Sequence, residues 1–200
     1  MSSQIWWFLA RASGIVGWLL LSASVIWGIL TPAKLSDRQR PAWSLDLHRW
    51  LAGLTVGFVA IHIVALMADS YVEFSFVDVF VPFASEWKPI PVALGVLATW
   101  LLVIVQATSL AMKRLPRTVW RKIHLTSYVA FFLTSLHGTL AGTDATNLLY
   151  QGTSLAALAA VIFTTLYRIM TRRRSRRVPT RSNAFPEPNP VPAHNQRTGV

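Results

Sequence analysis

Four histidines pose the chemical question in this chain. His48 and His62 stand fourteen residues apart in one apolar run, and His124 and His137 stand thirteen apart in another. At about 1.5 Å of helical rise per residue, each separation is roughly 20 Å along its helix. A single histidine inside an apolar helix ordinarily hydrogen-bonds to a neighbour. Four at two matched depths point further, because polar groups within a membrane are costly unless they are used. Two facing imidazoles at each depth are what two stacked bis-imidazole haems require, the porphyrin supplying the four equatorial nitrogens of each iron.

The elements that must position these side chains are legible as five apolar runs, Ile5–Leu30, Leu45–Ala68, Ile90–Ala111, Trp120–Ala141 and Leu148–Met170. Each is long enough to cross about 30 Å of hydrocarbon as a helix. With 53% hydrophobic and 14% charged residues, the charges crowd into the gaps. The expected fold is an all-α integral membrane protein, a five-helix transmembrane bundle over residues 1–170. A tail follows over residues 171–200, basic and then Pro-rich, of a composition that favours disorder.

Charge sets the orientation. Lys34, Arg38 and Arg40 lie in the first gap, Lys113, Arg114, Arg117, Arg121 and Lys122 around the third, and Arg172, Arg173, Arg174, Arg176 and Arg177 after the fifth run. The alternate gaps carry Asp69, Glu73, Asp78, Glu86 and Asp144. The positive-inside rule therefore places the N-terminus outside and the C-terminus in the cytoplasm. The net charge of +11 is accounted for by these flanks and by membrane lipid head groups; with no soluble basic domain, a nucleic-acid partner is not expected. Cysteine is absent, which excludes disulfides, thiolate metal sites and cysteine-ligated clusters. The opening MSSQIWWFLARASG lacks the basic start of a signal peptide and reads as a retained helix.

In that topology helices two and four run parallel, so His48 pairs with His124 towards the cytoplasm and His62 with His137 towards the outside. Fourteen residues return within roughly 40° of the starting azimuth, with Ala52, Thr55 and Val59 as small residues between. Gly53 and Gly57 point the other way and read as a helix-packing contact. Thirteen residues leave His137 about 140° from His124 on an ideal helix; tilt, a distortion beside Gly138, or differently set haems would absorb it. Arg11, buried near the outer pair, calls for an anionic partner, such as a haem propionate or an incoming anion. Arg49, Arg121 and Lys122 suit inner propionates or lipid phosphate, and Trp50, Trp100 and Trp120 suit packing, the interface or an electron path. The aromatic loop Asp69–Pro89 reads as a lid over the outer end.

These residues resemble the ferric reductase-like transmembrane domain, the superfamily of NADPH oxidases, ferric reductases and the bacterial methionine sulfoxide reductase haem subunit. The histidine spacings carry the resemblance, across about residues 5–170. Arg11-Ala12 is similar to an Arg-Ala pair near the outer haem in that family. Trp120-Arg121-Lys122-Ile123-His124 and the run from His137 to Asp144 look like a bacterial branch. The resemblance implies a multi-pass bacterial cell-membrane protein with two b-type haems, His48 and His124 holding the inner iron and His62 and His137 the outer. It would pass electrons from a cytoplasmic flavoprotein or quinol to an acceptor or reductase on the outer face. A haem-bearing anchor for a separate reductase and a non-redox bundle are the alternatives. Two departures matter. Leu66 stands where the oxidases carry a further histidine, which argues against superoxide production. No glycine-rich nucleotide loop follows the fifth helix, so electrons are not expected to come directly from NAD(P)H.

Overall fold

The structure, a computed structural model, describes residues 2–31, 43–70, 72 and 74–177. The basic connection at 32–42, the side chains of 172–177, Tyr71, Glu73 and the tail from 178, His194 included, lie outside the described set. Helices α1 (Ser2–Leu30), α2 (Trp43–Ala68), α3 (Phe76–Phe80), α4 (Pro89–Leu110), α5 (Arg117–Leu125), α6 (Ser127–Ala141) and α7 (Leu148–Arg177) follow one another, with a 3₁₀ turn at Met112–Arg114. Among the described residues α1, α2, α4 and α7 are each long and apolar enough to cross a membrane. The chain is a multi-pass membrane protein.

The fourth expected span is not one helix. It breaks at Thr126 into α5 and α6. The Thr126 N–H reaches back three residues to the Ile123 carbonyl at 2.9 Å, and its hydroxyl donates to the same oxygen at 2.7 Å. A hydroxyl competing for a helical carbonyl tightens and bends the helix. His124 and His137 thus sit on separate segments, which relaxes the 140° mismatch of a straight helix. The distortion lies between the histidines rather than beside Gly138. Gly138 has another role, admitting the Tyr150 hydroxyl, which stands 2.6 Å from where a Cβ would be.

Neighbour packing runs α1 to α2, α2 to α4, α4 to α6 and α6 to α1, so α2 and α6 face each other across the centre of a four-helix ring. Their contact is not extended, which leaves a slot down the middle. Trp18 on α1 donates its indole N–H to Ser135 on α6 (3.0 Å), and Trp27 donates to the Ser44 carbonyl (2.8 Å). Leu21, Val25, Ile29, Phe131 and Val161 form a buried core where α1, α6 and α7 meet. Helix α7 packs outside α1, and Leu148, Leu155, Phe163 and Met170 are exposed along it, as suits a lipid-facing helix. Two ends result. The N-side holds the start of α1, the end of α2, the start of α4 and the end of α6; the C-side holds their opposite ends.

Two packing expectations are corrected. A Cβ at Gly53 or Gly57 would meet nothing within 4 Å, so this pair opens outward rather than packing within the chain. The loop before α4 does not simply cap the bundle. Its helix α3 docks on the flank of α4, where the Trp100 indole donates to the Phe80 carbonyl at 2.9 Å. Phe76, Val77 and Phe83 remain exposed, an apolar face in keeping with a membrane interface.

Ser75 and Asp78 close a capping box at the start of α3, satisfying donors that the first turn leaves free. The Ser75 hydroxyl, and after it the Ser75 backbone N–H, hold the Asp78 carboxyl below the usual carboxylate range. Since the folded value is depressed, the stabilisation is present above the unfolded value and fades as pH falls through the folded one. Limited proteolysis of the loop between α2 and α4 should therefore accelerate in acid, and Asp78→Ala should show that acceleration already at neutral pH. Trp100→Phe, which removes the indole donor, should cost about 1 kcal/mol and loosen the same loop with helix content unchanged by circular dichroism.

Candidate haem site

Each histidine ring in the slot is set by the helix behind it. His62 places its ring against Gly14 of α1, and its Nδ1 donates to the Ala10 carbonyl at 2.7 Å. His137 lies against Gly95 of α4, and its Nδ1 donates to the Pro91 carbonyl, also at 2.7 Å. His48 lies against Gly28, with Nδ1 3.1 Å from the Ser24 carbonyl and 3.3 Å from the Ser24 hydroxyl. The same construction appears three times: a glycine, and the carbonyl four residues before it. Its cause is helical geometry. A side chain leans back over the preceding turn, covering the carbonyl four positions earlier. Where that side chain is a hydrogen, the carbonyl stays open to a second donor beside its own helical N–H.

The fourth ring departs from this pattern. His124 Nδ1 is 3.3 Å from the hydroxyl of Ser109 on α4. Trp120, one turn earlier on α5, stacks on the His124 ring with centroids 5.1 Å apart.

A carbonyl accepts only from a protonated nitrogen, so the carbonyls behind His48, His62 and His137 fix Nδ1–H and leave Nε2 as the free electron pair, whereas the Ser109 hydroxyl behind His124 can accept or donate. The rings meet in the expected pairs. His48 and His124 have centroids 6.0 Å apart, and His62 and His137 6.4 Å apart. With metal–nitrogen bonds of about 2 Å and about 1.1 Å from nitrogen to ring centre, two imidazoles on opposite sides of one metal put their centroids roughly 6 Å apart. Among the described residues no group of three or more His, Cys, Asp or Glu is placed to hold a metal ion. Two imidazoles alone under-coordinate a bare ion. They suit a metal that brings four equatorial ligands in a flat ring, and α2 and α6 do not pack extensively on each other where the rings meet. The donor set fits haem.

Arg11 meets an anion that the chain itself provides. Its guanidinium forms a two-pronged ion pair with Asp144, in the turn after α6, the Nε contact being 2.9 Å. It also lies over the Trp7 ring, 4.1 Å from the centroid. A half-buried guanidinium in an apolar helix calls for a countercharge, and the chain supplies one. On the C-side Arg49 pairs loosely with Asp46 at 3.3 Å. Trp50 is exposed and Trp100 is committed to the Phe80 carbonyl, so of these tryptophans only Trp120 touches a histidine. Gly14, Gly28 and Gly95 were the functional residues that sequence reasoning passed over. Their signal was available: Gly14 and Gly28 are fourteen apart, the spacing of the histidines they seat.

The seats can be tested by filling them. A Cβ at Gly95 would stand 2.7 Å from His137 Nδ1, too close to tolerate. Gly95→Ala should destabilise the protein by about 1–3 kcal/mol through overpacking, whereas Gly57→Ala, facing open space, should be neutral or slightly stabilising. Thermal unfolding of the two variants side by side measures the difference.

Comparison with known proteins agrees with this architecture. No curated protein and no solved structure matches the chain. A family model described as ferric reductase like transmembrane component matches residues 13–135, more than half of the sequence. The match takes in Gly14, Gly28, His48, His62, Gly95, Ser109 and His124, and it stops two residues short of His137. On the strength of that match, the chain belongs to the ferric reductase-like transmembrane family.

Proposed function

We propose that this chain is a di-haem b-type membrane cytochrome carrying electrons from a cytoplasmic-side donor, a flavoprotein or a quinol, to an acceptor on the outer face. One observation carries the reading: two pairs of imidazoles, 6.0 and 6.4 Å between centroids, each ring backed by a hydrogen bond at Nδ1. Haem b, when bound, supplies the equatorial nitrogens and a one-electron iron couple. His48 and His124 would hold it on the C-side, and His62 and His137 on the N-side.

The chain's own residues favour transfer over ligand activation. With two imidazoles at each level, the chain itself would supply both protein ligands to a bound haem, which would leave no place for an exogenous one. Thr55, seven residues from both His48 and His62, and Phe131, seven from His124 and six from His137, are almost wholly buried at 1% and 0% exposure. Lys113, Arg114, Arg117, Arg121 and Lys122 gather at the C-side, while Asp69, Asp78, Glu86 and Asp144 lie at the N-side, which supports a cytoplasmic C-side and an outer N-side. The Arg11–Asp144 pair keeps the outer site near electroneutrality.

Purified protein should carry two b-type haems per chain by reduced-minus-oxidised spectroscopy and haem quantification. His62→Ala should halve that content by removing the outer haem alone. A variant as rich in haem as its parent would sink the assignment of His62.

A further inference from the structure

The irregular fourth seat has a consequence for the cofactor. Gly14 and Gly28 on α1 are fourteen residues apart, and each opens a carbonyl to the histidine in front of it. Fourteen residues beyond Gly95 on α4 the corresponding seat should again be a glycine, opening the Val105 carbonyl to His124. The residue there is Ser109. A serine side chain leans over the preceding turn, towards that carbonyl, which already accepts from the Thr108 hydroxyl at 3.1 Å. What His124 Nδ1 finds instead is the Ser109 hydroxyl, at 3.3 Å.

The substitution changes the quality of the bond. A peptide carbonyl on the outer rings is met at 2.7 Å, twice; the hydroxyl behind His124 is more distant, and it is a weaker acceptor than an amide oxygen. A hydrogen bond from Nδ1 feeds electron density into the ring and raises the basicity of Nε2. A more basic axial ligand favours the oxidised, more positive iron. Weakening that bond at one ring therefore shifts the balance towards the reduced iron at that level only.

We propose that Ser109 is a positioning and potential-setting residue for the C-side haem: acting through His124, its hydroxyl in place of a glycine-opened carbonyl holds that haem at a higher midpoint potential than a glycine would. The inference rests on the di-haem reading above. It assigns Ser109 no contact with the cofactor. Its work is done at the far nitrogen of the ligand, and Trp120, stacked on the same ring, limits how far the imidazole can turn when the bond is changed.

The test uses the full chain in detergent or nanodiscs and reads a redox titration with haem content and the low-spin electron paramagnetic resonance signals. Ser109→Gly should restore the repeated seat, keep two haems, and move one of the two reduction waves to lower potential with the other unmoved. Ser109→Ala, which blocks the carbonyl and removes the hydroxyl, should move the same wave upward or release that haem alone. The resonance signal of one haem should change in both variants. Both waves staying in place in two fully loaded variants would overturn the role of Ser109 and leave the di-haem reading standing. Loss of the C-side haem from Ser109→Gly would overturn it too, since a carbonyl seat should hold His124 at least as well. A parent chain without haem would overturn both readings together.

Discussion

The interaction on which the rest depends is the hydrogen bond from a histidine Nδ1 to a helical carbonyl uncovered by glycine. In water such a bond contributes only about 0.5–1.5 kcal/mol. Within the slot it does more than stabilise, because it decides which nitrogen carries the proton and therefore which nitrogen faces the centre. An imidazole free to turn would present either tautomer. The rings of His62 and His137, clamped at 2.7 Å and pressed against Gly14 and Gly95, have lost that freedom. The orientation of both rings is thus set by the protein alone.

That constraint explains the arrangement of helices. A histidine can use a carbonyl of a neighbouring helix only if the two backbones approach closely, and α1 with α2 and α4 with α6 are the most extensively packed pairs in the bundle. Each pair is one seat helix and one ligand helix. Closing the ring through α1 with α6 and α2 with α4 sets the two ligand helices on a diagonal, where their rings meet but their backbones need not. The open diagonal follows from close packing of α1 with α2 and of α4 with α6.

The histidine pairs and most helix limits were legible in the sequence because they rest on local rules: apolar length and helical rise. What escaped were features that depend on which faces meet. Gly14, Gly28 and Gly95 look like ordinary helix glycines until a ring is placed against them. Gly53 and Gly57 carry the familiar packing spacing yet face open space, since spacing alone says nothing of what stands opposite. The break at Thr126 left a trace in the Thr126-Ser127 pair, but whether a threonine hydroxyl bonds back into its helix depends on neighbours that periodicity does not describe. Arg11 needed an anion, and Asp144 lies 133 residues away; only the closure of α6 against α1 shows that the chain provides one.

The ion pair and the seats belong to one design at the N-side. The Ala10 carbonyl that anchors His62 and the guanidinium of Arg11 come from adjacent residues on α1, while Asp144 closes the turn that follows the helix of His137. A shift of α1 against α6 would disturb both at once. By joining the seat helix of one ligand to the ligand helix of the other, the pair ties the two halves of the ring at the level where both outer imidazoles must hold their separation. On the C-side the ring is linked differently, through Arg168 of α7 donating to the Ile29 carbonyl at 3.3 Å and Trp27 to Ser44 within the first pair. The ion pair thus lies at the end that holds the 2.7 Å histidine–carbonyl bonds, and the hydroxyls of Ser24 and Ser109 lie at the other. The two ends differ in what links α1 to its neighbours: a charge pair to the turn after α6 at one, a guanidinium from α7 on the Ile29 carbonyl at the other.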